Sequence, residues 1–525
     1  PQAAALREHL IAQPDVDLTA VAATLATGRA ARAHRAVVLT EPGRGGRAAA
    51  LADLAALAGG TAGDAVVTGR ATDAAAVFVY PGQGGQWAGM GADLLASPVF
   101  RAEFDACAEA LAAHLDFSPH DVLTGADGAP PWNRTDVVQP VQWAVCAGLT
   151  ALWAAFGVRP AAVIGQSQGE MAAASAAGAL SRTEAARVVA VRSRLIAGLP
   201  GDTGGMLAVL ESPDALRARI DALGGDLTVG AFNSPTNAVA SGPTPALTAL
   251  QESCRADGVR CGRVDIAYAS HSSLMAPVEE PLLSELPDVV SAAPRVPMQS
   301  TVTGAAVGDG RLDAAYWYAN LRAPVRLADA ITAQAAAGRR TFLEVGPHPV
   351  LGGAIAATLD HLDTGADSGE GATLATLRRD APGWPRFLRA AAEAWARGLP
   401  VTWAAALPAG AGRAVLPSSV YERRRHWLEA PPTTHTDVTA PFWAAVDSGD
   451  PATVADVVAP GDPAPRAARD AAASGELPPS HRLTAPPRRA SRTPAAAGST
   501  SAVARNVPVS TSSAPTAQSP VTSWT

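Results

Sequence analysis

The sequence predicts an α/β fold: a parallel-sheet core with an inserted subdomain, preceded by a small α/β unit. Three observations carry this. First, two short apolar runs, residues 76–80 (AVFVY) and 161–165 (AAVIG), each lead into a glycine-bearing turn, and a helix of small residues follows the second. Strand, tight turn and helix in alternation build parallel sheets. Second, the run 342–345 (FLEV) before Gly346 resumes that pattern late in the chain. Third, residues 205–265 change character to the order β-α-β-β-α-β, the ferredoxin-like arrangement.

The elements follow in chain order. Residues 2–12 and 17–27 have helical apolar spacing, 34–40 read as a strand and 46–58 as a helix. They form the small α/β unit, residues 1–72, which carries no obvious chemical group set. The main domain spans 73–365, with its insert at 203–267. Within the insert, strands are expected at 206–210, 227–232, 237–242 and 259–265, and helices at 214–223 and 245–257. A more broken stretch, 366–430, closes at residues 416–428 (LPSSVYERRRHWL). Residues 431–457 begin another element. From 458 to 525, proline, serine, threonine and alanine dominate; seven arginines against three acids make this segment about +4. Such a composition buries too little apolar surface to offset its ordering entropy, so disorder is expected. A reading-frame artefact at the end of a GC-rich fragment would have the same composition.

Composition narrows the function classes. The chain has 525 residues, is 48% hydrophobic and carries a net charge of −7. It has core enough for more than one domain, and nothing in its charge points to nucleic acid or an acidic membrane as the main partner. All 41 basic residues are arginine. Cys107, Cys146, Cys254 and Cys261 have no CxxC spacing. They imply a reducing compartment and neither a disulfide frame nor a metal site. No membrane span is expected, and no signal-peptide pattern precedes the first helix, which begins after Pro1. The expected location is cytoplasmic, for a protein or a piece of one.

The sharpest chemical signal is Gly165-Gln166-Ser167-Gln168-Gly169. A G-x-S-x-G between a strand and a helix is a nucleophile elbow, the hydrolase-like feature of the core. The turn is tight enough that both flanking glycines are required. The backbone N–H of Gln168, at a helix N-terminus, is placed to stabilise an oxyanion. Farther on, Ser181 and Glu184 form a capping-box pattern that predicts a helix start. Periodicity then puts Arg192 on the apolar stripe with Val188, Val189 and Ile196, while Arg187 and Arg194 share another face. A buried arginine needs an anion. That anion is either a protein acid or a substrate carboxylate held by the guanidinium fork. A serine nucleophile also needs a base. The chain has ten histidines, and spacing does not choose among them. His271 follows the last insert strand, at the junction of the two subdomains.

Taken together, these motifs resemble one family: the malonyl-CoA-type acyltransferases built into modular type I polyketide synthases. The resemblance covers residues 1–430. It rests on PGQGGQW at 81–87, GQSQGE at 165–170, an arginine 25 residues past the serine (192 − 167), YASH at 268–271, NLRAPV at 320–325 and EVGPHPVL at 344–351. The resemblance implies Ser167 as nucleophile and His271 as base, a dyad whose base is oriented by the carbonyl of Asn320. It implies an oxyanion hole from the N–H groups of Gln83 and Gln168, and Arg192 as clamp for the free carboxylate of a dicarboxylic acyl group. The implied reaction is ping-pong, from a coenzyme A thioester to the phosphopantetheine thiol of an acyl carrier protein, with no metal and no bound cofactor. A ketosynthase domain of the parent synthase is the implied neighbour. Residues 1–72 resemble the ketosynthase-to-acyltransferase linker and 366–430 the post-acyltransferase linker. Phe442–Val457 resembles the first helix of a reductase's structural half.

Three stretches are similar to methylmalonyl-type domains: residues 134–139, which include Val138 and Gln139; Gln168; and Tyr268-Ala269-Ser270-His271. Malonyl-type domains tend to carry phenylalanine where Ser270 sits, so the smaller serine leaves room for an α-methyl. One methyl is worth only about 1–3 kcal/mol, so tolerance of malonyl is compatible with this reading. Gln166 departs from the histidine that most of the family carries there. The rivals are a malonyl-specific transferase, a serine hydrolase or thioesterase, and an inactive synthase fragment with a docking role. A hydrolase would need an acid-histidine pair and gives no reason for Arg192.

Overall fold

The computed structural model describes residues 1–40, 45–72, 75–199, 204–309, 311–363, 371–420 and 439–458. The chain divides into two units, residues 1–422 and 423–525. In the first unit, helices Gln2–Ala12, Leu18–Gly28 and Gly46–Ala58 accompany an antiparallel pair, β1 (His34–Val38) and β2 (Val66–Arg70). Asp17 caps the second helix by accepting from Thr19 N and Ala20 N. Leu10, Val21 and Leu54 form the small core of this part.

The main sheet starts with β3 (Ala76–Tyr80) and β4 (Pro160–Gly165). The chain then leaves for the insert: β5 (Gly205–Val209), β6 (Thr228–Ser234), β7 (Asn237–Gly242) and β8 (Cys261–Arg263). It returns as β9 (Met298–Gln299), β10 (Thr341–Glu344) and β11 (Ala372–Ala375). The main sheet has the order β11-β10-β3-β4-β9, with all neighbours parallel. Every residue of β3 is buried because both faces are covered. Ala76, Phe78 and Tyr80 enter one core; Val77 and Val79 enter the other.

The insert has the order β6-β7-β5-β8, antiparallel throughout, as the ferredoxin-like pattern requires. Leu207, Val209, Ala238 and Ala240 point to its own core, beside Leu216 and Leu247 of the two helices. The alternate residues Met206, Ala208 and Val239 face the other way and line a cavity of about 800 Å³ against the main domain.

The structure departs from expectation at four places. The last insert strand is only Cys261–Arg263, shorter than 259–265. The main sheet continues past residue 365, because β11 pairs with β10 inside the stretch read as a linker. Phe442–Val457 is two helices, Ala440–Asp447 and Pro451–Val458, broken at Gly449 in a left-handed conformation (φ 67°). Finally, Thr135–Ala155 is long and apolar enough to cross a membrane by length and composition, yet its most apolar stretch is 78% buried in protein. Residues 137–158 carry no charge, so the expectation that every apolar run of this length is interrupted by a charge fails here. The expectations for residues 421–438 and 459–525 lie outside the described residues.

Candidate active site

The elbow is built by steric exclusion. A Cβ on Gly165 would stand 2.2 Å from Glu170 N, and one on Gly169 would stand 2.2 Å from Tyr80 O. Only glycine fits either position, and the strand therefore turns directly into helix Gly169–Ala177. Ser167 adopts φ 54°, a left-handed conformation strained for a side-chain residue. Its hydroxyl lies 2.8 Å from His271 Nε2. His271 is also left-handed, at φ 61°.

His271 Nδ1–H donates to the carbonyl of Ala323 at 2.8 Å. A carbonyl only accepts, so the proton sits on Nδ1 and Nε2 is free to accept from Ser167. This corrects the expectation for Asn320. Asn320 lies inside helix Ala314–Arg322, whereas Ala323 follows it with extended backbone and a freed carbonyl. The Asn320 side chain instead donates to Ser167 O at 3.0 Å and to Glu170 at 3.3 Å. It steadies the elbow and does not touch the imidazole.

Burial pushes the His271 pKa down to about 4; the bond to Ala323 acts against this and the charge of Arg192 adds to it. The imidazole is neutral at pH 7. The acid limb of any reaction using it as base is expected near pH 4, below the ordinary histidine value of about 6.5. In the unfolded chain the same histidine takes up its proton near 6.5, so below that pH the unfolded state binds more protons. Stability is therefore expected to fall as pH drops from about 6.5 to about 4, and this penalty is absent above that window. A pH–rate profile and melting curves across that range check both.

The backbone N–H groups of Gln83 and Gln168 donate to no other group among the described residues. Both residues line the cavity beside Ser167. The turn at 82–85 is held by Gln142, which donates to the carbonyls of Pro81 and Gly82 at 3.2 and 2.8 Å.

Arg192 is fully buried on helix Arg182–Ala197, as the periodicity predicts, and Ser181 accepts from Glu184 N at that helix's start. Arg187 and Arg194 pair with Asp288 and Glu285 on the outer face. Among the described residues Arg192 has no carboxylate partner. Its Nη1 donates to Gln139 Oε1 at 2.7 Å, while Nε and Nη2 are buried without partners. Gln139 donates in turn to Tyr268 OH at 2.9 Å, and Tyr268 donates to Gln83 Oε1 at 3.1 Å. An amide and phenol chain thus runs from the arginine to the cavity wall. Ser270 also lines the cavity, and its buried hydroxyl has no partner. Val138 and Ala269 are buried and do not line it.

One charged residue escaped the sequence reading. Glu170 is completely buried and accepts from Thr301 through both N–H and hydroxyl, from Tyr316 OH at 2.6 Å and from Asn320. Burial raises its pKa, and these bonds act in the opposite sense. An acid on a helix otherwise made of small residues and one methionine was the available signal.

A serine on an elbow, bonded to a neutral imidazole and lining a cavity, is the arrangement of α/β enzymes that move acyl groups. The acyl transferase domain family matches residues 77–399, and the chain belongs to it, in the form carried by modular polyketide synthases. The acyltransferase domain from module 8 of the salinomycin polyketide synthase is 43% identical, with a TM-score of 0.73, over 77% of this chain and 94% of that one. Polyketide synthase GfsB of Streptomyces halstedii is 44% identical over 85% of this chain. Erythronolide synthase EryA2 of Saccharopolyspora erythraea is 43% identical over 84% of it. The chain spans only 8% and 12% of those two synthases.

Proposed function

We propose that this domain loads a methylmalonyl extender unit from coenzyme A onto an acyl carrier protein through an ester on Ser167. His271 Nε2 takes the Ser167 proton as Oγ attacks the thioester carbonyl. The N–H groups of Gln83 and Gln168 receive the developing oxyanion. Coenzyme A leaves as the thiol, taking the proton from His271. The phosphopantetheine thiol of the carrier then attacks the ester, with the same groups reused in reverse. The parent synthase's ketosynthase is the proposed downstream user of the loaded carrier, in the cytoplasm.

The observation that carries the reading is the hydrogen-bonded pair Ser167 and His271, oriented by a backbone carbonyl. His271 does not form the acid-histidine pair of the hydrolase kind: its second nitrogen is occupied by the Ala323 carbonyl. The two unpartnered nitrogens of Arg192 favour a dicarboxylic acyl group, whose free carboxylate would satisfy them. The small Ser270 in the cavity wall favours methylmalonyl over malonyl.

Intact-protein mass spectrometry tests this, with equal methylmalonyl-CoA and malonyl-CoA and with Ser167→Ala beside the parent chain. The expected result is a methylmalonyl adduct that the variant lacks. A malonyl adduct would overturn the extender assignment and keep the mechanism. A folded parent chain with no adduct would overturn both.

A further inference from the structure

Ser167 and His271 lie on opposite sides of the insert in the chain. The serine sits on the main sheet's elbow; the histidine follows the insert. Both hold left-handed backbone conformations. Something must keep the two aligned, and four consecutive residues of β6 touch both sides.

On the base side, Val325 N donates to Gly230 O at 2.9 Å, and Phe232 N donates to Val325 O at 2.8 Å. This short parallel bridge holds the segment whose Ala323 carbonyl orients His271. Gly230 also leaves room for the base: a Cβ there would stand 3.4 Å from His271 Cβ and 3.0 Å from Ser241 Cβ. Ser241 donates to the carbonyl of Ser270, one residue before the base, at 2.5 Å.

On the nucleophile side, Gln166 Nε2 donates to Asn233 Oδ1 at 3.0 Å, and Asn233 Nδ2 donates to Asn237 Oδ1 at 3.2 Å. The Gln166 backbone N–H is already bonded to Tyr80 O at 2.9 Å. The side-chain bond therefore adds a tie from the elbow to the insert. Gln166 is the residue at which this chain departs from the family's histidine, and the structure supplies it with a partner.

We infer that residues 230–233 form a latch across the cavity, in which Gln166 and Asn233 are positioning residues that hold Ser167 in register with His271. The inference rests on the proposed Ser167–His271 chemistry. It makes a distinct demand: breaking the Gln166–Asn233 bond slows acylation without weakening substrate binding.

The test uses the full chain, Gln166→Met, Asn233→Leu, Asn233→Asp and the double variant Gln166→Met/Asn233→Leu. Met has the length of Gln without a donor; Asp keeps the oxygen that accepts from Gln166. Two rates are read. One is acylation by methylmalonyl-CoA, resolved into kcat and KM. The other is labelling of Ser167 by an alkyl fluorophosphonate, in which Oγ bonds to phosphorus, fluoride leaves and the proton passes to His271. A parent chain that the fluorophosphonate fails to label would sink the serine reading itself. With the parent labelled, Gln166→Met and Asn233→Leu are each expected to lower kcat and labelling about tenfold, with KM changed by less than about twofold. The double variant should fall no further than either single one, because both remove one bond. Asn233→Asp should keep most of the rate. Parent-like kcat in Gln166→Met, a rise in KM alone, additive losses in the double variant, or an Asn233→Asp as slow as Asn233→Leu would overturn the latch.

Discussion

His271→Ala is expected to slow acylation of Ser167 by about a thousandfold, the scale of a lost general base. At neutral pH a serine hydroxyl is a weak nucleophile, and among the described residues the side chain it bonds to is His271. Glu170 is the nearest buried carboxylate in sequence, but Thr301, Tyr316 and Asn320 occupy it. Removing the imidazole also leaves the Ala323 carbonyl without its donor and opens a void. A melting curve on the same sample separates loss of fold from loss of chemistry, and His271→Gln supplies a bulkier control. The measurement is the single-turnover rate of ester formation by quenched mass spectrometry. A folded His271→Ala chain that acylates within tenfold of the parent would place the base elsewhere.

How much of this site was legible before the structure depends on the range of the forces involved. Gly165 could be read because the clash that demands it is local, with Glu170 five residues on; Gly169 was legible through the elbow pattern alone, since its clash is with Tyr80 on the adjoining strand, 89 residues away. Arg192 could be read because helical periodicity is local too, and its burial followed. His271 could not be chosen from ten histidines on spacing, since its contact with Ser167 spans 104 residues; only resemblance singled it out. The Asn320 error has a physical origin. A backbone carbonyl has no sequence signature, and the distinction between Asn320 and Ala323 depends on where a helix releases its last carbonyl. Short or marginal strands were lost for a similar reason. β9 has two residues, too few to show alternation, and β11 is a four-residue strand inside the broken stretch 366–430 that reads as a linker. Glu170 was passed over because an acid in a first helical turn is ordinarily a dipole-facing surface residue. Its burial follows from tertiary partners 131 to 150 residues away.

With the proposed dicarboxylic substrate, Arg192→Ala is expected to shift loading from methylmalonyl towards propionyl. In the parent chain the guanidinium is wholly buried, with one neutral partner, Gln139, and two nitrogens unpaired. Burial lowers its pKa, and the nearby Tyr268 and Glu170 act against that. A substrate carboxylate would satisfy the fork and compensate its charge. A monocarboxylic group such as propionyl would bury the charge further and leave it unpaired, which is costly. Removing the arginine should therefore cut methylmalonyl loading by about a hundredfold or more, the scale of truncating one partner of a buried charge pair. The same change should leave propionyl-CoA loading unchanged or faster. Arg192→Lys keeps the charge and loses the planar fork, so its methylmalonyl rate should fall between the two. Competition between propionyl-CoA and methylmalonyl-CoA, read as the ratio of the two Ser167 adducts, measures the switch directly. Equal losses for both substrates in a folded Arg192→Ala chain would make Arg192 a support for Gln139 and Tyr268 and remove it from carboxylate recognition.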